Sequence, residues 1–234
     1  HHGALDSTYI LYTSDHGFHL GEFRMPYFKG QPYEFDLRVP MLVRGPGIAP
    51  GSTISAMTLN IDIAPTIAAL VGTTPPPEAD VDGRSFAPLL FGAAAADARE
   101  GGGEEERSEA VAEWRSDILF EFWCDNPKGT AHTAVGPYCH HVICTANNTY
   151  AGVLTADGLK YIEFEDDVQF TEFYNITLDP HELRNAVHDA AAQRDIARLK
   201  QRLKQLRGCA GEGCRAPPPP SEEQNEVRAA AISS

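Results

Sequence analysis

Residues 8–47 read TYILYTSDHGFHLGEFRMPYFKGQPYEFDLRVPMLVRGPG, and this stretch decides the fold of the chain. Its apolar run around 9–14 predicts a strand in a sheet that is covered on both faces. Asp15-His16-Gly17 follows that strand directly, where open α/β sheets bind their ligands. A second apolar run, Val39–Val43, predicts another strand that a Gly-Pro-Gly turn ends. The segment therefore indicates an α/β domain with a site at the end of its first strand.

Three side chains of this stretch are candidates for a metal and oxyanion site. A hard cation such as Ca²⁺ needs oxygen ligands, which Asp15 offers, and a neutral His16 imidazole can complete the set. Lys29 is a cation that can bind a tetrahedral oxyanion and stabilise a leaving oxygen. The alternatives are a plain turn after a strand for Asp-His-Gly and a solvated surface lysine for Lys29.

Composition limits the classes of protein to which the chain can belong. It has 234 residues and a formal net charge of −14, which argues against a nucleic-acid partner. No apolar window approaches the ~20 residues that a membrane span requires. The chain starts without an initiator Met and without the basic and apolar parts of a signal peptide, so we expect a truncated chain.

The sequence predicts two folded parts with different secondary structure. Residues 1–92 indicate an α/β domain, in which Asp62 caps a helix whose Ile63, Ile67 and Leu70 share one face. Residues 93–113 are rich in Ala, Gly and Glu and predict a flexible insertion. Residues 114–208 predict a small antiparallel sheet with a packed helix, and residues 209–234 a cysteine-containing tail with a disordered end.

Two local signals define the second part. Asp157-Gly158 lies between two apolar runs and predicts a β-hairpin, since this pair suits a type I′ turn. Apolar residues at helical spacing, from Leu183 and Val187 to Leu206, predict a helix that ends at Gly208.

The cysteines favour an oxidising, secretory environment. The chain has five of them, together with two glycosylation sequons that begin at Asn147 and Asn175. Cys209 and Cys214 are close in sequence, and this spacing favours a small disulfide over a metal or redox pair.

Taken in order, these segments resemble the later part of a sulfatase of the alkaline-phosphatase-like superfamily, within it the N-acetylglucosamine-6-sulfatase group. The resemblance covers most of the chain apart from the insertion and the tail. It continues after residues 8–47 in LNIDIAPTIAALVG (59–72), DGRSFAPLL (82–90), YAGVLTADGLKYIEF (150–164), EFYNITLDPHELRN (172–185) and GCAGEGCR (208–215).

The resemblance implies a sulfuric ester hydrolase that acts on sulfated amino-sugar glycans such as glycosaminoglycans, in a lysosomal or extracellular glycoprotein. It also implies that Asp15 and His16 bind Ca²⁺ and that Lys29 contacts the sulfate and the leaving oxygen. Residues 1–92 would then be the C-terminal part of the sulfatase α/β domain.

The chain departs from the family pattern at the nucleophile. Sulfatases make a formylglycine from the cysteine of Cys-x-Pro-x-Arg, and none of the five cysteines lies in that motif. The family's upstream aspartate pair, lysine and histidine are also missing. The resemblance thus implies half of a calcium and sulfate site, an N-terminal half of the enzyme as the missing partner, and no activity for this chain alone.

The sequence is also compatible with two other functions. A phosphodiesterase or phosphotransferase of the same superfamily also has Asp-His-Gly after a strand, although such enzymes usually bind zinc and use Thr or Ser. A non-catalytic, degenerate glycan-binding protein would need no nucleophile.

Overall fold

The computed structural model describes residues 3–73, 81–91, 114–123 and 148–215. The strands in these ranges are β1 (Ile10–Thr13), β2 (Met41–Arg44), β3 (Asp117–Phe122), β4 (Tyr150–Thr155), β5 (Leu159–Phe164) and β6 (Thr171–Asn175). The helices are α1 (Glu34–Leu37), α2 (Ile63–Leu70), α3 (Ala87–Leu90), α4 (Gln193–Arg207) and α5 (Glu212–Arg215). Short 3₁₀ turns cover Ala4–Ser7, Glu22–Arg24, Asn60–Asp62 and Ala190–Ala192.

The two strands predicted around the Asp-His-Gly motif are confirmed. β1 and β2 form an antiparallel pair in which Thr13 lies opposite Met41. The expected cover on both faces is wrong for the described residues, because Tyr12 and Leu42 are 62% and 63% exposed. The opposite face, which includes Met41 and Val43, packs against a cluster that contains the buried Phe86 and residues of α3.

The predicted helix at 63–70 forms, but its buried side differs from the prediction. Ile67 is exposed, whereas Pro65 and Thr66 are buried. The hydroxyl of Thr66 accepts a hydrogen bond from the backbone N–H of Phe86 at 2.9 Å and thereby joins α2 to the segment before α3. Asp62 stands at the start of the helix without capping it through its side chain, because its carboxylate binds other groups described below.

The second part of the chain is a four-stranded antiparallel sheet in the order β3-β4-β5-β6. The predicted hairpin at Asp157-Gly158 connects β4 to β5, but its turn is not of type I′. Of the pair, only Gly158 has a positive φ, +87°, and its N–H donates to Thr155 O at 2.9 Å. This is the geometry of a longer hairpin loop that ends in a left-handed glycine.

Strand alternation buries this sheet on both sides. Residues of one face, among them Val153 and Tyr161, pack against Leu199, Leu203 and Leu206 of α4. Residues of the opposite face, among them Ile162 and Tyr174, pack around Tyr33 from the first part of the chain.

Helix α4 begins later than its apolar pattern predicts. Leu183 is 73% exposed, and the chain from there to Val187 is irregular. The Asn185 side chain accepts the backbone N–H of Val187 at 3.1 Å and that of Phe173 at 3.1 Å. An asparagine that binds neighbouring backbone groups in this way competes with helix formation, so the helix starts only at Gln193.

Several predicted features lie outside the described residues. They are the insertion at 93–113, the end of the tail after Arg215, and the cysteines at 124, 139 and 144. Among the helices that are described, none has the length and apolar character needed to span a membrane.

Candidate functional site

The site lies in the turn that follows β1, and Gly17 makes this turn possible. A Cβ atom at Gly17 would lie 1.9 Å from the carbonyl oxygen of Phe35, so no other residue fits without moving backbone. The Gly17 N–H donates to Asp36 O at 2.8 Å. The chain is thereby held close to α1 just after Asp15 and His16.

The Asn60 side chain fixes the same turn from another side. Its Nδ2 donates to the carbonyl oxygens of Ser14 and Asp15, each at 3.0 Å. Asn60 belongs to the 3₁₀ turn that leads into α2, and that turn is anchored by the fully buried Asp62. The Asp62 carboxylate accepts the backbone N–H groups of Leu59 and Arg84 and forms a two-pronged ion pair with Arg115.

Asp15, His16 and Lys29 come together at this turn. His16 Nε2 lies 3.1 Å from the Asp15 carboxylate, and Lys29 Nζ contacts the same ring nitrogen. The Asp15 side chain is 80% exposed and that of His16 33%. A carboxylate, an imidazole and a lysine side chain thus share a solvent-accessible corner of the molecule.

The His16 ring is oriented by the backbone. Its Nδ1 lies 2.6 Å from the Gly17 carbonyl oxygen. A neutral His16 that donates its Nδ1–H to this carbonyl keeps a lone pair on Nε2, the nitrogen that faces Asp15 and Lys29. Metal-binding histidines are typically held in this way through their second nitrogen.

The Asp15 carboxylate is available as an anion. Although desolvation opposes the effect, the neighbouring His16, backbone N–H groups and Lys29 lower the pKa of Asp15 below its ordinary value of 3.8. A cation such as Ca²⁺ takes about six to eight ligands and prefers oxygen atoms. Asp15 therefore offers an oxygen ligand of the kind that calcium prefers, and the His16 nitrogen beside it is a less typical calcium ligand. The described residues contain no group of three or more His, Cys, Asp or Glu side chains arranged to hold a metal ion.

The loop that carries Lys29 is built on a buried histidine–aspartate hydrogen bond that the sequence did not identify. His19 Nδ1 lies 3.0 Å from both oxygens of the Asp36 carboxylate, and both side chains are buried. The backbone N–H and C=O groups of His19 bind those of Phe28 at 2.8 and 3.1 Å. Asp36 also accepts the N–H of Gln31 at 2.9 Å, so the chain is fixed on both sides of Lys29.

The second part of the chain contacts the segment just after Lys29. Asn148 Nδ2 donates to Gly30 O at 3.1 Å, and the Tyr33 hydroxyl donates to Glu172 at 3.1 Å. The backbone N–H of Glu34 donates to the Glu182 carboxylate at 2.7 Å.

A buried lysine completes this contact. Lys160 Nζ lies 2.7 Å from Glu182 Oε1 and 3.1 Å from Glu34 Oε1, and its side chain is fully buried. Burial raises the pKa of Glu182, whereas Lys160 and the Glu34 N–H oppose the rise. In the sequence, the lysine within the apolar run LKYIEF is the local signal that could have identified this cluster.

The other predicted site residues lie away from this turn. Asn175 ends β6, and its side-chain oxygen accepts the N–H groups of Thr177 and Leu178 at 3.1 Å. The sulfur atoms of Cys209 and Cys214 are 2.02 Å apart, at the end of α4. Asn147 lies outside the described residues.

Comparison with known proteins gives consistent matches. The sequence model of the sulfatase family matches residues 1–73. An N-acetylglucosamine-6-sulfatase of Bos taurus is 37% identical over 231 residues, which cover 92% of this chain and 37% of the bovine protein.

Two solved structures extend these matches to the fold. One, of a protein in complex with its substrate D-glucosamine-2-N,6-O-disulfate, has a TM-score of 0.65 and 30% identity, over 88% of this chain and 35% of that protein. A phosphonate monoester hydrolase of Agrobacterium radiobacter has a TM-score of 0.63 and 27% identity, over 88% and 36%. The chain thus spans less than two fifths of the length of these relatives.

Proposed function

The chain belongs to the sulfatase family, and on that premise we propose that it supplies part of the active site of a sulfuric ester hydrolase for sulfated amino-sugar glycans. Asp15 and His16 are the proposed ligands of a calcium ion, and Lys29 is the proposed contact to the sulfate group. The contact between Lys29 Nζ and His16 Nε2, with Asp15 3.1 Å from the same nitrogen, carries the proposal.

Each of the three residues has a defined task in this proposal. When bound, Ca²⁺ supplies positive charge that neutralises the sulfate. The Asp15 carboxylate and the His16 Nε2 lone pair would hold it, with the ring kept in place by the Gly17 carbonyl. Lys29 would donate from its ammonium group to a sulfate oxygen and stabilise charge on the leaving oxygen.

Amino-sugar sulfates are the proposed substrate class. The bovine relative is an N-acetylglucosamine-6-sulfatase, and one structural relative binds D-glucosamine-2-N,6-O-disulfate as its substrate. The nucleophile would come from sequence outside these 234 residues, since no cysteine here lies in Cys-x-Pro-x-Arg.

We further propose a secretory route to a lysosomal or extracellular location, with glycans at Asn147 and Asn175 and a disulfide between Cys209 and Cys214. The two sequons and the pairing of Cys209 with Cys214 support this proposal. The proposed domain division remains 1–92, 93–113, 114–208 and 209–234.

The second candidate is a phosphodiesterase or phosphotransferase with the same fold. The likeness to a phosphonate monoester hydrolase favours it. A tetrahedral phosphorus oxyanion would meet the same lysine and metal ligands. A non-catalytic glycan-binding protein would use Lys29 for binding alone.

Titration of the full chain with inorganic sulfate, glucosamine 6-sulfate and inorganic phosphate tests the proposal, with Ca²⁺ present and followed by NMR. We expect both sulfate ligands to perturb Lys29 and its neighbours. Lys29→Ala should weaken that binding by about ten- to a hundredfold, the value of one charge-assisted hydrogen bond. The matched control is Lys204→Ala, an exposed lysine of α4. Equal effects of the two variants would refute the assignment, and a preference for phosphate would favour the second candidate.

A further inference from the structure

We propose that Glu182 is a positioning residue for Lys29, through the buried cluster that it forms with Lys160 and Glu34. The inference rests on the proposed role of Lys29 in sulfate binding. It assigns the second part of the chain a role in the site, although that part supplies none of the three residues at the turn.

Glu182 has both oxygens engaged. Its Oε2 accepts the backbone N–H of Glu34 at 2.7 Å, and its Oε1 accepts from Lys160 Nζ at 2.7 Å. Lys160 binds the Glu34 side chain in turn, at 3.1 Å. The Glu182 carboxylate therefore binds the backbone of Glu34 directly. It also holds the Glu34 side chain indirectly, because Lys160 bridges the two carboxylates.

Four hydrogen bonds between the second part of the chain and the first fall on the five residues that follow Lys29. The Gly30 carbonyl binds Asn148, the Tyr33 hydroxyl binds Glu172, and Glu34 binds both Glu182 and Lys160. Lys29 lies directly before this segment, residues 30–34, which the four hydrogen bonds hold in place.

The backbone at Glu182 supports a specific role. Its φ is +54°, a left-handed conformation that side chains other than glycine seldom adopt. A conformation of this kind persists where the surrounding structure demands it. Here it delivers a carboxylate to the N–H of a segment 148 residues earlier in the chain.

A purely structural role is the competing interpretation. Removing one partner of a buried ion pair destabilises a protein wherever the pair lies, so lost stability alone decides nothing. The chain offers a matched control. Asp117 of β3 binds Arg202 of α4 through two hydrogen bonds of 2.8 and 2.9 Å, and both side chains are nearly buried. The two hydrogen bonds of this pair join the sheet to helix α4 and do not involve residues 29–34.

The experiment compares Glu182→Gln with Asp117→Asn in the full chain. The readouts are thermal stability, the ¹H–¹³C signal of the Lys29 ε-methylene, hydrogen exchange of the Glu34 amide, and affinity for inorganic sulfate. We expect Glu182→Gln to move the Lys29 signal toward its random-coil position, to speed exchange at Glu34, and to weaken sulfate binding about tenfold. Asp117→Asn should lower stability and leave the other three readouts unchanged.

An unchanged Lys29 signal in folded Glu182→Gln would overturn the inference, as would an equal change in Asp117→Asn. Should Glu182→Gln fail to fold, Tyr33→Phe removes one hydrogen bond to the same segment and must shift the Lys29 signal for the inference to stand. If the wild-type chain binds no sulfate, the proposed function fails, while the Lys29 signal and Glu34 exchange still decide on positioning.

Discussion

The imidazole of His19 and the carboxylate of Asp36 form a buried pair, with Nδ1 3.0 Å from each carboxylate oxygen. Asp36 also accepts the N–H of Gln31 at 2.9 Å. The pair therefore links the chain before Lys29 to helix α1, which follows Lys29 in sequence. These contacts hold the loop that carries Lys29.

We expect Asp36→Ala to cost about 3–5 kcal/mol of unfolding free energy, because it leaves a buried imidazole and the partly buried N–H of Gln31 without their acceptor. Urea unfolding followed by circular dichroism measures this loss. Asp195→Ala serves as the control, because its carboxylate pairs with Arg198 at the surface, where an ion pair is worth less than about 1 kcal/mol. Similar losses in both variants would contradict the prediction.

The Glu172 carboxyl predicts a pH dependence of stability. Burial raises its pKa above the ordinary 4.5 and Glu182 adds to the rise, whereas the Tyr33 hydroxyl and Lys160 oppose it. Its Oε2 has no hydrogen-bond partner within the described residues. A raised folded-state pKa means that the folded protein binds this proton more tightly than the unfolded chain. The resulting stability is fully present below the ordinary pKa and is lost as pH rises through the raised value.

Glu172→Gln should therefore gain stability over the wild type as the pH is raised from 4 to 8. Unfolding free energies from urea titrations at several pH values give the test. Parallel pH profiles of the variant and the wild type would show that Glu172 has an unperturbed pKa.

Local signals were sufficient for the strands and the hairpin. β1 and β2 follow from apolar runs bounded by turns. The Asp157-Gly158 pair marks the short loop between β4 and β5, two strands that are neighbours in sequence. Its turn type was missed because the pair is also compatible with a longer loop that needs a left-handed conformation at glycine alone.

The supports of the site could not be predicted, because their partners are distant in sequence. Lys160 contacts Glu34 across 126 positions and Glu182 across 22. A lysine in a strand normally points toward solvent. Lys160 can be buried because two carboxylates, those of Glu34 and Glu182, pair with its ammonium group. The buried side of α2 was mispredicted for a related reason. Its apolar spacing favoured Ile67, but the polar Thr66 binds Phe86 across 20 positions.

Gly17→Ala should disrupt the turn, since its Cβ would lie 1.9 Å from a backbone oxygen, that of Phe35, which no side-chain rotation can move. We expect a loss of several kcal/mol, about the size of a severe steric or packing defect. The control is Gly208→Ala at the end of α4, where the nearest atoms lie 3.7 Å away. Thermal unfolding of both variants is the measurement, and a tolerated Gly17→Ala would show that the turn yields more easily than its geometry indicates.

The 234-residue chain by itself should not turn over sulfate esters. We expect no hydrolysis of an aryl sulfate or of glucosamine 6-sulfate, with or without Ca²⁺. Asp15, His16 and Lys29 can bind a metal ion and an oxyanion, but hydrolysis also needs an activated nucleophile placed against the sulfur. None of the five cysteines lies in the motif from which sulfatases make one.

A colorimetric assay of the purified chain, at high protein concentration with Ca²⁺ and with a chelator, measures this activity. Hydrolysis that requires both Ca²⁺ and Lys29 would contradict the prediction and would mean that another side chain of this sequence attacks the sulfate. Hydrolysis that persists in Lys29→Ala would indicate a contaminating enzyme, because removal of the sulfate contact must affect any turnover at this site.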